Sequence, residues 1–182
     1  MTIIAAILDK PNKKGIIASD SMGSNIYNGA DFGSKLIRIN ENLVIGYSGT
    51  YIVATWLKYE GLKLVNNNDT PDNILYKLST EYRKACKDVL HHGNKENEVW
   101  TISDYLLGIT PNSILEVSRD GSILEINKVY HAIGSGELIA IGALEMASRL
   151  KIEPSVAVAQ AVSIAMLINP HCGGNIHIQM VG

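Results

Sequence analysis

Cysteine, aromatic side chains, basic clusters and long apolar runs are all scarce in this chain, and each scarcity closes off a class of function. Two cysteines in 182 residues, Cys86 and Cys172, are too few for a disulfide framework and suit a reducing compartment, so a cytoplasmic protein is expected. Aromatic residues amount to 6% and the lysines are scattered over a chain of net charge −2, which leaves neither stacking platforms nor a basic footprint for nucleic acid. No apolar stretch reaches the roughly 20 residues that a membrane helix needs. The longest, residues 156–168, is interrupted by Gln160 and Ser163, and no membrane partner is expected. The opening apolar run lacks a basic leader and meets Asp9 and Lys10 at once, unlike a signal peptide. A phosphate-binding Gly-rich lysine motif is missing as well, so no nucleotide cofactor is expected and any ATP use belongs to another chain. His171, Cys172 and His177 fall short of the four placed ligands of a closed zinc site, no metal is expected, and His91 and His92 read as a solvated helix end. Repeats and low-complexity linkers are lacking too. With 46% hydrophobic and 19% charged residues, 1–182 reads as one domain able to bury a substantial core.

What the chain does have is a succession of apolar strands and paired helices. Residues 3–8 and 16–18 are apolar on both alternating faces, with Pro11-Asn12-Lys13-Lys14-Gly15 as turn chemistry between them, which predicts a hairpin covered on both sides. A second hairpin is predicted over 35–39 and 43–48, turning at Asn40-Glu41-Asn42. Residues 50–65 follow a helical period, and Thr70-Pro71 supplies the cap and first-turn proline of a second helix. Its inner face is read as Ile74, Leu78, Tyr82, Ala85 and Val89. Strands return over 100–109 and 114–118, Asp120-Gly121 turns into 122–126, and another strand ends near Ile133. Helices over 138–150 and 154–168 follow, the second almost wholly apolar and so expected to be covered by the sheet, its neighbour or another subunit, and 176–181 closes the chain as a strand. Helix pairs arriving between antiparallel hairpins predict an α+β fold, two stacked sheets with one helical pair outside each.

The first residues carry the chemistry. Thr2 stands directly behind Met1 and runs into the first apolar strand; with Met1 removed it offers a hydroxyl and a free α-amine, a nucleophile and a base within reach of each other. A turn centred near Pro11 and Asn12 puts Thr2 across from about Asp20 and Ser21. One centred on Glu41 puts Lys35 across from about Tyr47. Two hairpins thus bring a threonine, an aspartate, a lysine and the Ser48-Gly49 turn to a common edge.

The joint order of Thr2, Ser19-Asp20-Ser21, Gly33-Ser34-Lys35-Leu36, Gly46-Tyr47-Ser48-Gly49, Ile133-Gly134-Ser135-Gly136 and Gly173-Gly174 resembles the proteasome β-subunit and HslV peptidases, which are N-terminal nucleophile hydrolases. The resemblance covers essentially the whole chain and implies a four-layer αββα sandwich. It also implies that Thr2 is the nucleophile with its own α-amine as base, that Lys35 lends a fixed charge held by Asp20, that the Gly49 N–H donates to the oxyanion, and that Ser135 supports the amine. A homo-oligomeric ring enclosing the sites, a separate ATPase unfoldase as partner, and peptides or unfolded proteins as substrates follow from it as expectations. Many active proteasome β-subunits carry Asp-x-x-Ser before the two late glycines, where this chain has Asn169-Pro170-His171-Cys172. Asn169 and Cys172 are therefore supporting candidates that bring no negative charge and no hydroxyl. Two alternatives stand beside the peptidase: a non-catalytic ring scaffold, against which the joint presence of Thr2, Asp20 and Lys35 speaks, and an N-terminal nucleophile amidohydrolase acting on small amides.

Overall fold

The computed structural model describes residues 2–24, 29–31, 33–66, 68–90, 93–96 and 99–182. Its first hairpin is β1 (Ile3–Asp9) and β2 (Lys14–Ser19), followed by a small ribbon of β3 (Met22–Ser24) and β4 (Gly29–Asp31). The second hairpin is β5 (Leu36–Asn40) and β6 (Leu43–Ser48), leading into α1 (Tyr51–Tyr59) and α2 (Pro71–Ala85). Another ribbon, β7 (Asn94–Glu96) and β8 (Val99–Thr101), precedes β9 (Tyr105–Ile109), β10 (Ile114–Val117), β11 (Ile123–Glu125) and β12 (Tyr130–Gly134). The chain ends with α3 (Glu137–Arg149), α4 (Pro154–Ile168) and β13 (His177–Val181).

The strands form two main antiparallel sheets, in the orders β12-β1-β2-β13 and β11-β10-β9-β6-β5. Strand β1 shows why they stack. Ile3, Ala5 and Ile7 pack under α3 and α4, while Ile4, Ala6 and Leu8 face Val44, Leu107 and Ile109 of the second sheet. Successive side chains of a strand point to opposite faces, so a run apolar at every position needs cover on both. Each large side chain removed from water contributes about 1.5–3 kcal/mol. On the far side of the second sheet, Leu43, Ile45 and Tyr47 meet Val53 and Leu57 of α1 and Ile74, Leu78 and Tyr82 of α2. The arrangement is the four-layer αββα sandwich that the element order predicts.

Local chemistry sets most boundaries. The Thr70 side chain accepts from Asn73 N at 3.4 Å, with Pro71 at the first helical position of α2, and Glu153 caps α4 at Val156 N, 2.9 Å, ahead of Pro154. Asp120 accepts from Ser122 N at 2.9 Å in the predicted turn between β10 and β11. Three expectations are corrected. The helix predicted over 50–65 stops at Tyr59 and tightens into a 3-10 turn at Gly61–Leu64, where Gly61 rests against Trp56 and Leu78. The strand predicted over 100–109 is two strands, because Asp104 turns inward to hydrogen-bond Thr50 and Tyr82. The end of the α2 rod, Cys86–Leu90, widens to a π-helix: Cys86, four residues beyond Tyr82, continues the buried stripe, and Val89 is 72% exposed where the inner face was expected. His91 and His92 lie outside the described residues. Helix α4 buries Ala157, Val158, Ala161, Val162 and Ala165, but Val156, Ile164, Leu167 and Ile168 remain uncovered.

Candidate active site

Two registers assemble the site. The β1–β2 ladder pairs Ile4 with Ser19, and Asp20 N donates to Ile3 O at 3.2 Å, which sets buried Thr2 opposite Ser21. The β5–β6 ladder pairs Leu36 with Gly46, and Tyr47 N donates to Lys35 O at 3.2 Å, as the second turn predicts.

Asp20 is the hub. Its Oδ1 accepts from Lys35 Nζ at 2.7 Å and from Ile3 N at 3.1 Å, and its Oδ2 accepts from Gly173 N at 3.1 Å. Asp20 is 0% and Lys35 2% exposed, so the ion pair is shielded from water. Met22 O, at 2.6 Å, is a second acceptor for the lysine. Burial pushes the Lys35 ammonium below its ordinary range, and the neighbouring Asp20 carboxylate pulls it back up. The carboxylate therefore ties β1, the lysine and the Gly173 loop into one unit. Ser21 fixes the same loop, its Oγ accepting from Asn175 N at 2.7 Å.

Ser135 stands on the other side of Thr2. Thr2 N donates to Ser135 Oγ at 3.3 Å, and that hydroxyl lies 3.3 Å from Thr2 O and 3.5 Å from Cys172 Sγ. Burial pushes the Cys172 thiol up, which makes it a weak neutral partner. Asn169 reaches the Ser135 backbone, its Nδ2 donating to Ser135 O at 2.7 Å while its Oδ1 accepts from His171 N at 2.9 Å. Asn169 thus braces the serine turn and makes no hydrogen bond to Thr2. Gly134 pairs with Ile3 and lies so close to Thr2 O and Ser48 Oγ that no side chain fits, which draws the Ser48-Gly49 turn to the Thr2 end of β1. A cleft of about 510 Å³ opens there, lined by Ser48, Ser103, Tyr105, Glu116, Ser135 and Glu137 among others. Burial pushes the Glu137 carboxyl above its ordinary range.

Every candidate from the sequence, Thr2, Asp20, Lys35, Gly49, Ser135, Asn169 and Cys172, thus gathers at the open ends of β1, β2, β5 and β6. Met1 lies outside the described residues. Asp104 escaped the sequence reading: it is 2% exposed and binds Thr50 beside Gly49, and an aspartate inside an otherwise apolar strand pattern was the available signal. Among the described residues no three His, Cys, Asp or Glu side chains converge to hold a metal ion, and no helix is long and apolar enough to cross a membrane.

Comparison of the whole architecture with solved structures gives matches that span nearly the whole chain. BPH of Thiobacillus denitrificans in complex with epoxomicin superposes with a TM-score of 0.83 at 17% identity, covering 99% of this chain and 98% of that one. A second structure of the Thiobacillus protein gives 0.83 at 18% identity, covering 99% and 97%. Eukaryotic HslV from Trypanosoma brucei gives 0.79 at 18% identity, covering 99% of both chains. This chain has the HslV fold. No protein-family model matches the sequence, and no curated protein is similar to it. The likeness resides in the arrangement of the layers, which the HslV fold preserves at an identity too low for sequence comparison alone. The open strand ends that gather Thr2, Asp20 and Lys35 lie at one edge of that sandwich.

Proposed function

We propose that this chain is a threonine-type peptidase subunit that hydrolyses peptide bonds inside an oligomeric ring. The observation that carries the reading is the Lys35–Asp20 pair, 2.7 Å apart and 2% and 0% exposed, beside a threonine at the start of β1. A buried ion pair is a poor source of stability because desolvation offsets most of its attraction, so its position next to Thr2 favours a chemical use.

Removal of Met1 exposes Thr2. Its Oγ attacks the scissile carbonyl carbon while the α-amine, directly or through a water, takes the hydroxyl proton. An α-amine of ordinary pKa, about 7.7–8.0, accepts that proton near neutrality, whereas a lysine ordinarily keeps its own to about 10.4. Paired with the Asp20 carboxylate at 2.7 Å, Lys35 acts as a charge next to the developing alkoxide, and the Gly49 N–H, which meets no acceptor among the described residues, donates to the oxyanion. The C–N bond then breaks, the α-ammonium returns its proton to the departing amine, and an ester to Thr2 Oγ remains. Water attacks that ester by the same exchange and regenerates Thr2. Ser135 Oγ, already hydrogen-bonded to Thr2 N, orients the amine. The uncovered apolar residues of α3 and α4 suit packing against further copies in a ring. A separate ATPase unfoldase and unfolded chains are the partners this reading takes over from the sequence resemblance to the HslV peptidases, and two free, buried cysteines suit the cytoplasm.

Intact-mass spectrometry paired with a fluorogenic peptide assay on one sample tests the proposal. Protein retaining Met1 should be inactive, protein beginning at Thr2 should cleave peptides and bind epoxomicin as the Thiobacillus protein does, and Thr2→Ala should fold but do neither. Full activity with Met1 in place would falsify the mechanism; a mature Thr2 terminus with no peptide cleavage would favour the scaffold alternative.

A further inference from the structure

We infer that Asp104 is a positioning residue for the Gly49 oxyanion donor, an inference that rests on the peptidase reading above. Asp104 occupies the gap between β8 and β9 and is 2% exposed. Its Oδ1 accepts from Thr50 N at 2.5 Å and from Thr50 Oγ at 3.1 Å, and its Oδ2 accepts from Tyr82 OH at 2.9 Å. Burial and the adjacent carboxylate push the Tyr82 phenol up, so it remains a donor at every working pH. One carboxylate therefore links the N-cap of α1 to the last turn of α2.

The Gly49 backbone is what this link controls. Gly49 has φ +134, a conformation that residues with a side chain rarely adopt, and it packs against Asp104 so closely that a Cβ would run into the carboxylate and lie 2.8 Å from Asp104 Cα. On one side of the Ser48–Gly49 amide, Ser48 is held in the ladder opposite Tyr105 of β9. On the other side, the Gly49–Thr50 amide is held by Asp104. The donor is thus clamped before and after, with its own N–H left unpaired among the described residues. Without the carboxylate the Gly49–Thr50 peptide is free to rotate, and the donor spends only part of its time aimed at the oxyanion. Losing an oxyanion donor outright costs about 100- to 1,000-fold in kcat, and a misplacement of about 1 Å can cost about 100-fold. Loosening the clamp should cost about 10- to 100-fold.

The test uses mature, assembled protein and compares Asp104→Ala, Asp104→Asn and Tyr82→Phe with wild type, measuring kcat, KM and affinity for a peptide boronate. A boronate forms a tetrahedral adduct whose oxygen takes the oxyanion position, so its affinity reads the donor directly. Asp104→Ala should lower kcat and boronate affinity in parallel with little change in KM. Asp104→Asn keeps an acceptor for Thr50 N and should retain most of both, which a role in bulk stability would not require. An assembled Asp104→Ala protein with wild-type kcat and boronate affinity, or one that loses kcat alone, overturns the inference. If Asp104→Ala does not assemble, Tyr82→Phe takes its place: a parallel loss supports the inference and wild-type values overturn it. Mature wild-type protein that neither cleaves peptides nor binds the boronate overturns the peptidase reading and this one together, whereas activity in wild type with undisturbed variants removes this one alone.

Discussion

Replacing Lys35 by Met separates the structural from the chemical part of the buried pair. Methionine keeps an unbranched stem in the same space but removes the ammonium, and with it the bonds to Asp20 at 2.7 Å and Met22 O at 2.6 Å. Asp20, 0% exposed, is left with the backbone N–H groups of Ile3 and Gly173 as its remaining donors. Removing one member of a buried pair costs about 3–5 kcal/mol, and those two surviving N–H bonds argue for the lower end, about 3 kcal/mol. At about 2–4 °C per kcal/mol for a domain of this size, Tm should fall by about 6–12 °C, measured at fixed protomer concentration. Adding Asp20→Asn removes the stranded charge, so the double variant should regain about 2 kcal/mol of the loss. Peptide hydrolysis should not return with stability, because the fixed positive charge is still missing. Lys35→Arg should not restore it either, since a planar guanidinium does not fit the compact seat of an ammonium. Thermal unfolding and a fluorogenic peptide assay on the four proteins read both quantities. A Lys35→Met protein as stable as wild type would refute the energetic argument, and a double variant that recovers kcat would remove Lys35 from the chemistry.

Two further outcomes follow from the same geometry. Because burial sets the Lys35 pKa below its reference of 10.5, the folded state holds fewer protons than the unfolded one between the lowered value and 10.5. The penalty is full below that window and relieved as pH rises through it, so wild-type stability should climb relative to Lys35→Met on the alkaline side; denaturant midpoints across that range check the sign. Leu167 and Ile168 at the end of α4 are 86% and 60% exposed, and changing both to Glu should release monomers and abolish peptide cleavage, as ultracentrifugation with a parallel assay reads; a wild-type protein monomeric at micromolar concentration would refute the ring.

The sandwich and much of the site were legible because they depend on short-range rules. A period of two with both phases apolar, as over residues 3–8, demands cover on two faces, and turn residues fix register by counting. Those two rules put Thr2 across from about Asp20 and Ser21 and Lys35 across from about Tyr47, and the ladders set Thr2 against Ser21 and Lys35 against Tyr47. They also bring Asp20 to Lys35, since each follows or precedes a strand whose register is set.

What stayed hidden depends on contacts between elements distant in sequence. Strand pattern alone makes 100–109 continuous; the break at Asp104 exists because Thr50 and Tyr82, 54 and 22 residues away, offer that carboxylate three hydrogen-bond donors. Likewise the buried stripe of α2 runs on from Leu78 and Tyr82 to Cys86, which sits in the core beside Tyr82, while Val89 faces solvent. Tyr82 of α2 and a strand that breaks before Tyr105 together hold a buried carboxylate under Gly49. Regular periods would have built the layers equally well without any of this, which is why irregularity at this end of the sandwich directs attention to Asp104.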